Sequence, residues 1–280
     1  MKYGAIAGGE KTTVQAAVDI LESDGNAFDA AVGAVFTSMV SEHNLTGPGG
    51  GGALLACPVE CEPILFDFFV DAPPPQPGKN LDFFDAWVDF GPSQQEFHIG
   101  QSSAAVPGNT AGLLKVHERL GQIPLKAVLE PAIQIAKEGV ILNDAQGYLF
   151  KILEPILAHS SSGKKLFAPK GAILKKGDRF QNPAFADLLE ELIKYGSDFF
   201  YKGDGAKLIL DTLAPNGLLT AESLANYKVE ERVPLKSTFN DKTIYTNPTP
   251  SVGGTLITFT LQLLEKAQTA ISTNMIDLVR

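Results

Sequence analysis

Apolar residues at Val14, Ala17, Val18 and Leu21 recur at the i, i+3, i+4, i+7 spacing of one helix face, with Thr12 and Thr13 placed before them as caps. Gly25 offers a left-handed stop, and Asn26 then caps a second helix running from Ala27 to about Val40. That second helix carries Ala30, Ala31, Val32, Ala34, Val35, Phe36 and Met39, so it is apolar nearly all round, the pattern of a helix buried on several sides. Two strand-like runs follow, at 53–56 and 64–70. In the second, a period of two puts Ile64, Phe66, Phe68 and Val70 on one face and Leu65, Asp67, Phe69 and Asp71 on the other.

Residues 72–101 are rich in proline and aromatics without a clear period, and read as a long irregular excursion of the kind that borders binding sites. Helical signals return at about 110–120, at 124–138 with Gly139 as stop, and at 183–195 between the Asn182 cap and Gly196. Ser160-Ser161-Ser162-Gly163 reads as a loop tip, and Thr220 opens another helix. Tyr227 to Phe239 and Thr243 to Thr246 alternate like a hairpin around Asn240-Asp241, and Gly253 to Lys266 forms a last, apolar helix.

Composition narrows the classes of function. With 44% hydrophobic and 20% charged residues in 280, the chain has enough apolar mass for a sizeable core. No apolar run approaches the roughly 18 residues of a membrane span, and the start Met1-Lys2-Tyr3-Gly4 lacks the features of a signal peptide, so a soluble, cytoplasmic chain without a membrane partner is expected. Basic residues number 23 and acidic 32, a net charge of −9 that repels polyanions, so no nucleic acid is expected as partner.

Several chemical motifs fail on context. Gly47, Gly49 and Gly52 match a dinucleotide-binding glycine pattern, but a helix precedes them and a strand follows, the reverse of what phosphate binding needs; Ala53-Leu54 also stand where a P-loop requires Lys-Ser/Thr. What the run Gly49-Gly50-Gly51-Gly52 does supply is close backbone approach, for packing a loop on a sheet or for lining a small pocket with N–H groups. Ser161-x-x-Lys164 resembles a serine–lysine pair but has no companion motif and reads as a solvated loop. Cys57 and Cys61 read as reduced thiols near a turn, because His43, His98, His117 and His159 are not at metal-ligand spacing; no metal and no cofactor are expected. His117 reads as a surface residue, and His43 as a hydrogen-bonded loop residue.

Five collinear segments together resemble the heavy chain of the γ-glutamyltranspeptidases, N-terminal-nucleophile hydrolases. They are Gly25-Asn26-Ala27-Phe28-Asp29-Ala30-Ala31-Val32, Gly47-Pro48-Gly49-Gly50-Gly51-Gly52, Ala105 to Gly112, Asp198 to Gly203, and Pro248 to Gly254. The resemblance implies an α+β fold, a four-layer αββα sandwich to which residues 1–280 contribute the heavy-chain part of one domain. It also implies that the nucleophile is a threonine at the N-terminus of a separate light chain, activated by its own α-amino group, so no catalytic residue is expected here. The substrate implied is a small γ-glutamyl or related acyl amide such as glutathione.

Two departures modify that expectation. The chain stops at Arg280, soon after the helix from Gly253, where family heavy chains usually continue. At Asp67-Phe68-Phe69-Val70-Asp71-Ala72-Pro73 the family's D-F-R-E-x-A-P places an arginine that binds the α-carboxylate of the γ-glutamyl group, and here that position is Phe69. Losing a charge-assisted, bidentate clamp removes on the order of 2–5 kcal/mol of carboxylate recognition. The residues expected to line the substrate wall are Phe69, Asp67 and Asp71, with Gly49, Gly50, Gly51 and Gly52 near it. A cephalosporin-acylase-like amidohydrolase taking a less anionic acyl group, or a non-enzymatic interaction module, remain the alternatives.

Overall fold

The computed structural model describes residues 4–266, so Met1-Lys2-Tyr3 and Arg280 lie outside the described residues. In chain order the elements begin α1 (Lys11–Glu22), α2 (Ala27–Ser41), β1 (Gly52–Ala56), β2 (Ile64–Phe68), β3 (Phe84–Asp89) and β4 (Gln94–Ile99). Next come α3 (Asn109–Leu120), α4 (Leu125–Glu138), β5 (Val140–Ile141), α5 (Asp144–Ile152), α6 (Glu154–Leu157), α7 (Ser161–Phe167), β6 (Arg179–Phe180) and α8 (Pro183–Tyr195). The order closes with α9 (Ser197–Tyr201), α10 (Asp204–Leu213), α11 (Ala221–Ala225), β7 (Glu230–Arg232), β8 (Leu235–Phe239), β9 (Lys242–Thr246) and α12 (Val252–Lys266). The class is mixed α and β. Two compact units divide the chain, one holding residues up to Gly52 and Phe68–Val229, the other Ala53–Asp67 and the chain from Glu230 onward.

The first unit is built on α2, against which α1, α3 and α4 pack, with α8 on α4. Val32, Phe36 and Met39 of α2 are at most 1% exposed, as an all-round apolar helix requires. Its start is pinned by a capping box in which the Asn26 side chain accepts from the N–H groups of Phe28 and Asp29 while Asp29 accepts from that of Asn26. The Asp29 carboxylate, wholly buried, also accepts from the N–H groups of Gln122 and Ile123, tying the α3–α4 turn to α2. The expected helices at 110–120, 124–138 and 183–195 appear as α3, α4 and α8.

Several local expectations are corrected. Helix α1 is capped by the Glu10 carboxylate, which accepts from Thr12 N–H at 2.6 Å. Thr13 is instead buried, its hydroxyl bonded to Ser41 and Glu42, so the covered stripe is Thr13, Ala16, Ala17 and Ile20, shifted from the one read off the apolar residues. The left-handed residue after α1 is Asp24 (φ 66°), not Gly25. Within 72–101 the chain forms the β3–β4 hairpin: Phe84, Ala86 and Val88 point inward, but β4 is polar and mostly exposed, so half of the period was invisible. The Ser160–Gly163 stretch starts α7, because the Ser160 hydroxyl caps Gly163 N–H and Phe167 anchors the far end in the core. His117 is not a surface residue; its Nε2 contacts the Ile123 carbonyl at 2.9 Å and its side chain is only 17% exposed.

The second unit contains a sheet in the order β1-β2-β7, with β2 and β7 antiparallel and Leu65 opposite Arg232, and a β8–β9 hairpin. Asn240 and Asp241, both at positive φ (47° and 60°), turn that hairpin as the sequence indicates; Val233-Pro234 separates β7 from it. Helix α12 packs on β8. Cys57 and Cys61 are exposed free thiols in the turn between β1 and β2.

Candidate functional site

The glycine run folds as a tight turn, Gly50 N–H donating to Gly47 O at 3.1 Å. Helix α3 begins on that turn. Its cap residue Gly108 has no side chain to satisfy the first N–H groups, and the Gly50 carbonyl takes their place, accepting from Gly108 and Asn109 N–H at 2.9 Å each. The Asn109 side-chain amide donates to Gly47 O at 2.8 Å and so holds the other end of the turn.

The chain leaving β2 lies against this framework. A Cβ on Gly51 would sit 2.6 Å from Val70 N and 2.9 Å from Phe68 O, and one on Gly108 would strike Phe68 O and the Tyr227 hydroxyl. Only glycine permits that approach. Asp71 and Val106 exchange backbone hydrogen bonds at 3.2 and 2.8 Å, continuing the contact. Two tyrosines brace the assembly: Tyr227 donates to Phe69 O at 2.8 Å, and Tyr201 donates to Pro107 O at 2.8 Å while accepting from Ala111 N–H at 3.2 Å. Their rings stack with centroids 5.6 Å apart. Burial pushes the Tyr201 phenol well above its ordinary value, so it stays a neutral donor.

Of the residues expected from sequence, Gly50, Gly51 and Gly52 and the segment Phe69–Asp71 are brought into one framework within the first unit. A Cβ on Gly52 would come within 3.1 Å of the Phe68 ring, whereas one on Gly49 would meet open space. The Phe69 side chain is 68% exposed, directed away from the core although its backbone is held. Asp67 is a different case. It belongs to the second unit, where Arg232 Nε binds its carboxylate at 2.7 Å, so its charge is balanced by a partner that sequence reading did not assign. Within the glycine run the carbonyls of Gly47 and Gly50 accept hydrogen bonds from the start of α3, and Gly51 gives the close approach to the chain leaving β2.

Asn109, Tyr201 and Tyr227 were missed as site residues. Asn109 and Tyr201 stand inside the segments that carry the family resemblance, which is their signal in the sequence; Tyr227 stands at the head of an alternating stretch, and nothing in its neighbours marks a hydroxyl reaching 158 residues back. His43 is held by a contact of Nδ1 with Met39 O at 3.2 Å and by the rings of Phe167 and Phe180, 5.0 and 4.8 Å away, as a structural residue. Burial lowers its pKa, the Met39 contact opposing.

The family model described as gamma-glutamyltranspeptidase matches residues 13–278. The glutathione hydrolase proenzyme of Escherichia coli (strain K12) is 34% identical over 267 residues, covering 94% of this chain and 45% of its own length. The acylase ACY 1 proenzyme of Pseudomonas sp. (strain SE83) is 30% identical, over 89% of this chain and 45% of its own. Among solved structures, the gamma-glutamyltranspeptidase of Helicobacter pylori superposes with a TM-score of 0.84 at 28% identity, covering 96% of this chain and 77% of that one. The chain thus spans about 45% of the length of these curated relatives. By the match of 13–278 and by the fold that carries it, the chain belongs to the gamma-glutamyltranspeptidase family.

Proposed function

We propose that this chain is the heavy chain of a γ-glutamyltranspeptidase-like enzyme that transfers or hydrolyses an acyl group through an acyl-threonine formed on a partner light chain. The observation that carries the reading is the framework itself: in a chain of this family, the glycine turn, the start of α3 held by Tyr201, and Tyr227 lock together around the Phe69–Asp71 segment. The partner is supported by α12, whose Val252, Leu256, Ile257, Phe259 and Leu263 are each more than half exposed, an apolar face suited to a covering chain. In this reading the helices of the first unit and the strands of the second are parts of a four-layer αββα sandwich that the light chain completes. The nucleophile and its amine base come from that chain.

Phe69 and Asp71 form part of the acyl-group wall on the framework of Gly50 to Gly52. A phenylalanine exposed where the family has its carboxylate-binding arginine favours an acyl group that is neutral or apolar at that end. The test is kcat/KM for a γ-glutamyl anilide and a neutral acyl anilide, with the chain assembled with a light chain beginning in threonine. The Phe69→Arg variant improves the γ-glutamyl donor by at least about tenfold and leaves the neutral one unchanged. Turnover by the 280-residue chain alone overturns the heavy-chain reading; efficient γ-glutamyl transfer by the wild type, with no gain on substitution, overturns the role of Phe69.

A further inference from the structure

The β3–β4 hairpin turns one face to the core and one to solvent. On the outer face the register sets Asp85 opposite His98 and Trp87 opposite Glu96, and the pleat puts Phe83, Asp85 and Trp87 in one row and Glu96 and His98 in the other. Three donor atoms converge there: His98 Nε2 lies 3.2 Å from Asp85 Oδ1 and 3.3 Å from Glu96 Oε1, and all three ligand atoms fall within 4.8 Å of one another. The imidazole plane is set by Phe83, whose ring stacks on it at 4.8 Å and 13°.

The two separations from His98 Nε2 are close to those between neighbouring ligands of a metal ion. A tetrahedral zinc ion with bonds of about 2.0–2.2 Å to nitrogen and carboxylate oxygen separates neighbouring ligand atoms by about 3.3–3.5 Å. One imidazole nitrogen faces two carboxylates here, and a single N–H forms one linear hydrogen bond, whereas a cation in the same place satisfies all three groups at once. An imidazole beside two carboxylates selects zinc and its neighbours in the first transition row over magnesium or calcium.

We propose that Asp85, Glu96 and His98 form a divalent transition-metal site on the outer face of the hairpin, with the remaining coordination position open to solvent. Zinc bound there cross-links β3 to β4. The site is independent of the acyl-transfer reading, and it departs from the sequence expectation of no metal, because strand register brings Asp85 of β3 to Glu96 and His98 of β4.

Trp87 is the sole tryptophan of the chain and stands directly opposite Glu96, so its fluorescence reports on the site. Wild-type chain is titrated with zinc by calorimetry and with copper(II) by Trp87 quenching, beside His98→Gln and Glu96→Gln. All three ligands are exposed, so these substitutions leave the core untouched, and far-UV circular dichroism verifies the fold. The expected result is one zinc per chain with a dissociation constant on the order of micromolar, weakened about tenfold or more in either variant, and saturable quenching that His98→Gln abolishes. Zinc that does not saturate below about 1 mM, or that binds His98→Gln as well as wild type, overturns the site and leaves a hydrogen-bonded ion pair.

Discussion

Helices α2 and α12 are each 15 residues long and apolar on nearly every side, yet they meet opposite fates. Ten residues of α2 are buried, Phe36 and Val32 completely. In α12, among the residues whose burial is described, only Gly254 and Thr258 are buried, while Phe259 is 57% and Val252 68% exposed. Apolar composition states that a helix gains by being covered; it does not state what covers it. Helix α2 finds its cover in α1, next to it along the chain, and in α3 and α4, which the fold brings back from far along it. Helix α12 has β8 on one side, and its remaining apolar surface fits the partner chain proposed above.

The sharpest way to break this contrast is a truncation inside α2. Phe36→Ala removes a fully buried ring and is expected to cost about 3–5 kcal/mol by chemical denaturation. A loss below about 1 kcal/mol means that α2 is not the centre of its unit.

Next in size is Asp29→Ala, expected to cost about 3 kcal/mol, because it leaves the N–H groups of Asn26, Gln122 and Ile123 without their acceptor. Asp29→Asn keeps an acceptor oxygen and is expected to fall between the two. Equal melting temperatures for Asp29→Ala and wild type contradict the view that this carboxylate fastens the α3–α4 turn.

A smaller effect comes from His43, at the exit of α2. Burial holds its folded pKa below the ordinary 6.5, so below that value the unfolded chain binds the proton more readily. Its contribution to stability is therefore full above pH 6.5 and is lost as the pH falls through the lower folded value. His43→Phe is expected to flatten this part of the pH profile, read as urea midpoints at about pH 7.5 and about pH 5.5. A profile as steep in the variant as in the wild type assigns the acid sensitivity to other groups.

The smallest effect is expected on α12. Phe259→Ser should change the stability of the chain alone by no more than about 0.5 kcal/mol and raise its solubility, while weakening association with the light chain. A loss comparable to that of Phe36→Ala shows that α12 is covered from within and removes the contrast.

Local chemistry was legible in the sequence wherever the deciding interaction lay within a few residues. Asn26 with Asp29, Asn182 before Pro183, Thr220, and the Asn240-Asp241 turn all carry their caps or backbone demands beside them, and the structure has those elements in place. The membership of the chain in its family was legible for the same reason, since each of the five segments is a short, contiguous pattern. Tertiary structure decided the rest. It placed Thr13 inward because Ser41 and Glu42 wait across the helix pair, gave Asp67 its counter-charge from Arg232, and set Tyr227 on the Phe69 carbonyl. It also made a hairpin of 84–99 in which only Phe97 and Ile99 of the largely polar β4 alternate inward, and brought Asp85 to Glu96 and His98 through register. Each of these depends on which segments meet, and a hydrogen bond or ion pair is worth its energy only at contact distance, so residues far apart along the chain carry no mark of it.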